Sequence, residues 1–324
     1  MGQQNPLSSQ MLEKVQAAND LLNKVKQEIS KQIVGQQKMI QRLLIALLCD
    51  GHVLLEGVPG VAKTLAVNTL AKTLNLDFKR IQFTPDLLPS DLIGTSVYNP
   101  KESAFFVQKG PVFTNVVLAD EINRAPPKVQ SALLEVMQEK QVTISGQTFK
   151  TGSPFFVLGT QNPIEHEGTY PLPEAETDRF MMKILIGYPS FEEEKEIVLK
   201  MTKLEPVTIQ PQLTCEDILN LRTLTRSIYL DDKVLNYILS LVFKTRAPQE
   251  LLEYGASPRA SMYLALCAKA HALMQNRAYV TPFDVQEIAC DVLRHRLVLS
   301  YEAQAKEISA DEIISGLISE LMVP

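Results

Sequence analysis

The segment Gly57-Val-Pro-Gly-Val-Ala-Lys-Thr64 decides the fold, because it joins an apolar stretch typical of a strand to a run typical of a helix. The strand candidate is HVLLE (52–56) and the helical run is TLAVNTLAKTL (64–74). A glycine-rich loop that opens a helix presents backbone N–H groups and the positive end of the helix dipole to phosphate oxygens. In such a loop Lys63 would reach the β- and γ-phosphates and Thr64 would hold Mg²⁺. The segment therefore predicts a nucleotide-phosphate site at the end of a strand.

The loop departs at one position from the pattern G-x-x-x-x-G-K-[ST], since Ala62 stands where the second glycine is usual. Alanine adds one methyl group, so we expect the loop to keep its shape if the φ angle at Ala62 is negative. For this motif alone, a glycine-rich turn without a ligand remains the alternative.

Two adjacent carboxylates end a second apolar strand, Val116-Val-Leu-Ala-Asp120-Glu121. In this pattern Asp120 would bind Mg²⁺, directly or through water, and Glu121 would polarise the attacking water. The carboxyl ends of parallel strands meet at one edge of a sheet, so both side chains should lie beside the phosphate loop. Solvated acids that merely end a strand are the alternative, which the presence of the upstream loop disfavours.

A third apolar strand also ends in polar residues, in the segment FFVLGTQNP (155–163). Asn162 could hydrogen-bond the γ-phosphate and the attacking water. A turn-forming Asn-Pro pair is the alternative for this position.

The order of strand-like and helix-like segments along the chain predicts an α/β fold with five strands, followed by a helical region. Helices are expected over residues 10–31 and 36–49, with the first packed on the main domain. From about residue 188 nearly every segment is typical of a helix, so we expect two domains, 1–188 and 189–324. The five strand candidates are HVLLE (52–56), FKRIQ (78–82), NVVLA (115–119), FFVLGT (155–160) and MMKILI (181–186).

Composition excludes several classes of protein. With 32 basic against 37 acidic residues the net charge is −5, which disfavours a general nucleic-acid binder. The four cysteines form no Cys-x-x-Cys pair, so neither a disulfide framework nor a zinc ribbon is expected, and the thiols suit a reducing cytoplasm. No apolar run approaches the ~20 residues of a membrane span, and residues 1–10 lack a signal-peptide pattern. We therefore expect a cytoplasmic protein without membrane insertion.

Three arginines are candidates to balance the negative charge that phosphoryl transfer builds. Arg124 follows the paired carboxylates, Arg179 precedes the last strand, and Arg259 lies in the first turn of a helix that opens at Ser257-Pro258. A helix dipole disfavours a cation there, so a bound anion would compensate for it. A surface or ion-paired arginine remains the alternative for each. Five other arginines have no comparable sequence context and are expected to lie on solvated faces: Arg226, Arg246, Arg277, Arg294 and Arg296.

Six segments, taken together and in order, resemble the MoxR family of AAA+ ATPases. The resemblance covers about residues 10–322, and alanine at the second glycine of the loop is also usual in that family. The segments are IVGQ (33–36), GVPGVAKT (57–64), VVLADEINRAPPKVQSALLEVMQE (116–139), FFVLGTQNP (155–163), YPLPEAETDRF (170–180) and GASPRA (255–260).

The resemblance implies an AAA+ core with sheet order 5-1-4-3-2, a helical lid, and hydrolysis of ATP with Mg²⁺ at Thr64 and Asp120. It assigns Glu121 to water activation, Asn162 to sensor 1, Arg179 to the arginine finger, Arg259 to sensor 2 and Arg124 to a third sensor at the subunit interface. The residues implied to contact the nucleotide are Val34, Gly35, Val58, Pro59, Gly60, Val61, Ala62, Lys63, Thr64 and Leu65.

The resemblance also implies partners. A finger supplied to the neighbouring subunit requires a ring, expected to be a hexamer. An insert at about 85–110 and a hairpin at 141–152 would face a central pore or a partner, and the Ser145-Gly146 pair independently predicts that hairpin. The leading hypothesis is a chaperone-like motor that remodels client proteins with a von Willebrand factor A domain partner. The alternatives are a magnesium-chelatase-type motor subunit and a nucleic-acid-stimulated AAA+ ATPase.

Overall fold

A computed structural model gives the structure of the chain over residues 8–58, 60–162, 168–202, 207–248 and 250–324. The strands are β1 (Val53–Gly57), β2 (Phe78–Gln82), β3 (Gly94–Asn99), β4 (Ala104–Lys109), β5 (Val116–Asp120), β6 (Gln141–Ile144), β7 (Gln147–Lys150), β8 (Phe156–Gln161), β9 (Met182–Ile186), β10 (Leu252–Tyr254) and β11 (Val298–Leu299). Within these ranges, no helix combines the length and the apolar character needed to cross a bilayer.

Strands and helices are interspersed up to β9, and helices dominate after it. They are α1 (Ser9–Ser30), α2 (Gln37–Leu48), α3 (Lys63–Thr73), α4 (Pro89–Ile93), α5 (Pro127–Glu139), α6 (Glu174–Thr177), α7 (Phe191–Met201), α8 (Cys215–Ser227), α9 (Asp232–Arg246), α10 (Pro258–Met274), α11 (Pro282–Leu293), α12 (Tyr301–Ala305) and α13 (Ala310–Ser319). A 3₁₀ helix covers Ile122–Arg124.

Five parallel strands form the central sheet in the order β2-β5-β8-β1-β9. Numbered along the chain as five core strands, this is the expected order 5-1-4-3-2. Each of the five lies within one residue of its predicted position. FKRIQ is polar because β2 is an edge strand, where half-exposed residues cost little, whereas β5 and β8 are buried on both faces.

The strands divide their side chains between two apolar layers, as a period of two requires. Leu54, Val117 and Val157 point toward α4 and α5, and their neighbours Val53 and Phe156 point toward α2 and α3. Alternate residues of the buried strands therefore hold helices on both faces of the sheet.

The helix α1 spans both parts of the molecule rather than packing on the α/β part alone. Its buried stripe matches the predicted spacing, from Met11 to Ile29, and it contacts α3 as well as α8 and α10. One continuous apolar cluster runs from the sheet through α1 and α2 into the C-terminal helices. The division of the chain at residue 188 therefore stays a prediction.

Two antiparallel hairpins project from the sheet. The first, β3–β4, lies in the predicted insert, and the second, β6–β7, turns at Ser145 and Gly146, both with positive φ, as predicted. The C-terminal region is mainly helical as expected, but β10 and β11 add a short antiparallel pair.

Candidate nucleotide-binding site

The phosphate loop leaves the sheet at Gly57, where the backbone passes close to β9. A Cβ atom at Gly57 would lie 2.6 Å from the carbonyl oxygen of Ile186, so only glycine fits. The Lys63 ammonium donates a hydrogen bond of 2.6 Å to the carbonyl oxygen of Gly57, across the loop. Burial lowers the pKa of Lys63, and the nearby carboxylates Asp120 and Glu121 partly oppose that shift. The lysine is therefore held over the loop, within a cleft that also contains the acids.

The condition of a negative φ at Ala62 is not met. Ala62 caps α3 with φ 58° and ψ 26°, which is left-handed, so the second loop glycine is replaced without a change to negative φ. This conformation costs an alanine roughly 1–2 kcal/mol. Gly60 also has a positive φ, 86°, and a Cβ there would meet no atom within 4 Å. The loop thus contains two positions with positive φ, separated by Val61, and the one at Ala62 is strained.

The paired carboxylates lie beside this loop, as the strand order predicts. Asp120 ends β5 and accepts a hydrogen bond of 2.6 Å from the hydroxyl of Thr160 on β8. The same hydroxyl accepts a bond of 2.8 Å from the backbone N–H of Glu121. Thr160 therefore fixes both acids relative to the third strand, a role that the sequence interpretation missed.

Two side chains of the edge strand β2 also reach the acids. Arg80 donates to the Asp120 carboxylate from Nε and Nη2, at 2.9 and 2.6 Å, and Gln82 donates to Glu121 at 2.7 Å. Neither residue was predicted for the site. The signal was present, because FKRIQ is polar where a core strand would be apolar.

A cleft of about 500 Å³ contains the predicted phosphate and metal groups together. Its lining residues are Gly60, Ala62, Lys63, Thr64, Leu65, Arg80, Asp120, Glu121, Thr160 and Asn162. Within the described ranges the Thr64 hydroxyl makes no hydrogen bond, and no three His, Cys, Asp or Glu side chains are placed to hold a metal. Thr64 and Asp120 supply oxygen ligands that suit Mg²⁺, which commonly completes its shell with water and phosphate oxygens.

An apolar pocket continues from the cleft, and the two share Gly60, Ala62 and Leu65. Val34, buried Val61, and Ile197 and Met201 of α7 line it. An apolar end joined to a polar, cationic end suits a base and its phosphates.

Three predicted loop and base contacts lie at the margin of this pocket or outside the structure. Gly35 does not line the pocket directly. The carboxylate of Glu193 lies where a Cβ of Gly35 would be, at 2.3 Å from that position. Val58 packs against the main apolar cluster. Pro59 lies outside the described residues.

Arg124 lies at the acids, but its guanidinium is engaged there. Its Nε forms an ion pair of 3.1 Å with Glu121. The 3₁₀ helix directly after β5 brings the two side chains together.

Arg179 and Arg259 lie at the opposite edge of the sheet. They line a pocket with Asp50 and His52, which precede β1, whereas the phosphate loop follows β1. A strand of five residues separates the two edges by about 16 Å. In the part of the chain that the structure describes, no hydrogen bond or ion pair involves the Arg179 guanidinium. The structure thus brings Arg179 and Arg259 together and keeps both from the loop of their own chain.

Arg259 is held by Asp178, the residue before Arg179. Asp178 accepts hydrogen bonds from Arg259 at 3.2 Å, from Arg296 at 2.8 Å and from the hydroxyl of Ser257 at 2.9 Å. The expectation of a solvated face was wrong for Arg296, which is 7% exposed, and for Arg294, whose side chain is also 7% exposed. Asp178 therefore ties α10 and the segment after α11 to the edge of the sheet.

A family model described as "ATPase family associated with various cellular activities (AAA)" matches residues 52–182, and an "AAA lid domain" model matches residues 245–317. The first contains the phosphate loop, the paired acids, Asn162 and Arg179. The second contains Arg259.

Similar proteins extend the match over nearly the whole chain. "Chaperone MoxR1" of Mycobacterium tuberculosis is 51% identical, with 92% of this chain and 81% of that protein covered. "Uncharacterized protein YeaC" of Bacillus subtilis is 48% identical, with coverage of 94% and 95%. A crystal structure of a Cytophaga hutchinsonii protein, 50% identical, superimposes with a TM-score of 0.91 over 96% of this chain and 97% of that one.

Proposed function

The chain belongs to the MoxR family of AAA+ ATPases, and from this premise we propose that it hydrolyses ATP with Mg²⁺ at the cleft between β1, β5 and β8 and uses the energy to remodel client proteins. The observation that carries the proposal is the convergence of Lys63, Thr64, Asp120, Glu121 and Asn162 on one cleft. These side chains come from the ends of two strands, β5 and β8, and from the start of α3.

Each group has a separate task in the proposed reaction. The Lys63 ammonium binds the β- and γ-phosphates, which compete with the carbonyl of Gly57 for its protons. Thr64 and Asp120 would hold Mg²⁺, which supplies neutralisation of the phosphate charge. Glu121 orients and polarises the attacking water, and Asn162 donates to the γ-phosphate. The apolar pocket beside Val34 and Met201 takes the base.

The site is completed, in this proposal, by a neighbouring subunit. Arg179 has no partner among the described residues and lies about one strand length from its own loop. A guanidinium that lines such a pocket is suited to an anion supplied from outside the chain. We therefore infer a ring, expected to be a hexamer, in which Arg179 acts on the ATP of the next subunit.

The experiment mixes two inactive variants. Glu121→Gln should bind ATP and lose hydrolysis by at least about 100-fold, because the water loses its base. Arg179→Ala should bind ATP normally and also lose most turnover. Mixed in equal amounts, they should recover activity, since an intact site can then meet an intact finger. The measurement is phosphate release, with fluorescent ATP binding as the check on each variant.

Two results would contradict the proposal. Specific activity that stays constant on dilution to the monomer would rule out a shared site. Mixtures no more active than the sum of the separate variants would rule out a finger in trans. Glu135→Gln, on the exposed face of α5, is the matched control and should behave as the unaltered protein.

The hairpin β3–β4 supports the client part of the proposal. Tyr98 and Phe105 pack at 5.2 Å between ring centroids near its tip, and Phe105 is 73% exposed. Such a tip suits transient apolar contact with a client or with a von Willebrand factor A domain partner. Affinity capture with Glu121→Gln in ATP should retain that protein, and Phe105→Ser should release it. Equal capture with and without the Phe105→Ser change would show that the hairpin does not bind the captured protein.

A further inference from the structure

The guanidinium of Arg80 occupies the side of Asp120 that faces the cleft. It bonds Oδ2 twice, at 2.9 and 2.6 Å, and its Nη2 also donates to Gln82 at 2.8 Å. The remaining oxygen, Oδ1, accepts from Thr160. Both oxygens of Asp120 are therefore already engaged by protein donors.

A divalent cation needs one of these positions. Mg²⁺ uses oxygen ligands, directly or through its water shell, and cannot share the same face of Oδ2 with a guanidinium. The two cations also repel each other at short range. Arg80 is about half exposed, so the cleft leaves its side chain room to withdraw. The bond from Thr160, by contrast, comes from the buried strand and can persist.

We propose that Arg80 is a placeholder for the metal, a positioning residue that holds Asp120 in the nucleotide-free protein and yields it when Mg²⁺ arrives with ATP. This inference rests on the proposed function, because it takes Asp120 as the metal carboxylate. Its consequence is that the metal binds Asp120 more readily together with the nucleotide than alone. Free metal must displace Arg80 unaided, whereas nucleotide-bound metal has the phosphate contacts of the loop to offset that cost. Arg80 thereby keeps free divalent metal from occupying the cleft before the nucleotide enters.

The test uses Mn²⁺ as the probe, because electron paramagnetic resonance counts its free form directly. The full chain is titrated with Mn²⁺ without nucleotide. Arg80→Gln should bind Mn²⁺ about fivefold more tightly than the unaltered protein, as expected when a half-exposed ion pair no longer competes. Arg80→Lys keeps a cation on β2, and Lys79→Gln removes a neighbouring charge that has no side-chain bond to Asp120. Lys79→Gln should leave the affinity unchanged, and Arg80→Lys should fall between.

The site of the added affinity is checked in a double variant. Arg80→Gln combined with Asp120→Asn should lose the gain, because the carboxylate is gone. An unchanged Mn²⁺ affinity in Arg80→Gln, or an equal gain in Lys79→Gln, would overturn the proposal. Binding of fluorescent ATP with Mg²⁺ to the unaltered protein is measured separately. Its absence would contradict the proposed function while leaving the Mn²⁺ comparison to decide the role of Arg80.

Discussion

At the residue scale, two non-glycine residues of the cleft have a strained backbone. Ala62 and Glu121 both have positive φ, 58° and 57°, although neither is glycine. Both lie directly beside a side chain on which the chemistry depends, Lys63 and Asp120. Strained backbone that is kept at a site commonly serves to aim a group. The conformation at Ala62 presents the N–H groups that begin α3, and the one at Glu121 turns its carboxylate out of the strand.

Replacing Ala62 by glycine should remove this strain. Ala62→Gly is expected to raise the free energy of unfolding by up to about 1 kcal/mol, since the relief of ~1–2 kcal/mol is partly offset by the freedom of glycine in the unfolded chain. Urea denaturation measures the change. The control Ala66→Gly lies inside α3 and should lower stability instead. A loss in both variants would contradict the left-handed assignment.

The ring of His52 predicts a pH dependence of stability. Nδ1 accepts from the N–H of Val157 and Nε2 faces the carbonyl of Met137, each at 3.0 Å. Burial lowers the pKa of His52 from 6.5 to about 4. The unfolded chain therefore binds a proton at a pH where the folded protein does not. The contribution of neutral His52 to the free energy of unfolding is therefore complete above about pH 6.5. It is lost progressively as the pH falls to about 4.

Urea unfolding of the protein and of His52→Asn at several pH values isolates this effect. As the pH falls from about 6.5 to about 4, the difference in unfolding free energy between the protein and the variant should shrink by up to about 1.4 kcal/mol per pH unit. A difference that is constant with pH would show that His52 is not kept neutral by folding.

At the element scale, the two hairpins are joined by one cation. The Lys109 ammonium lies 5.1 Å from the ring centroids of both Phe113 and Phe149. Phe149 belongs to β7, and Lys109 ends β4. The second hairpin connects α5 to β8, which carries Thr160, so the contacts of Lys109 link the first hairpin to the segment before that strand.

A double-mutant cycle tests this link. Lys109→Met and Phe149→Leu should each destabilise the protein, and their effects should fall short of additivity by about 0.5–1 kcal/mol. Lys101→Met, at the far end of the same hairpin, is the control and should be additive with Phe149→Leu. Additivity in both pairs would exclude the coupling.

At the scale of the whole molecule, the sheet separates the two groups of residues that the proposed reaction requires. Its carboxyl edge carries the loop and the acids, and its amino edge carries Arg179 with Arg259. The helical region therefore places Arg259 on the same side of the sheet as Arg179, away from the cleft of its own chain. We expect Arg259 to act on the neighbour as well.

Complementation distinguishes the two possibilities. Arg259→Ala should lose most hydrolysis as a pure protein and recover part of it when mixed with Glu121→Gln, because the intact Arg259 then comes from the neighbour. Phosphate release is measured against each variant alone. Rescue of Arg179→Ala without rescue of Arg259→Ala would mean that Arg259 works within its own chain.

Local patterns were enough to predict the core strands and the first helix of this chain, but not the short pair β10–β11. The five core strands and α1 follow from apolar patterns of the sequence. The phosphate loop and the two acids were visible because their chemistry depends on neighbours in sequence. These features are set within a few residues, which is the range over which a sequence pattern acts.

Only the tertiary structure decided which side chains that are far apart in the sequence come into contact. Arg80 and Thr160 reach Asp120 because β2 and β8 flank β5, and Asp178 reaches Arg296 because α11 returns to the sheet. The left-handed backbone at Ala62 and the burial of Arg294 likewise escaped prediction. A pattern records which residues can make such contacts, but strand order and the packing of distant helices determine which partners they find.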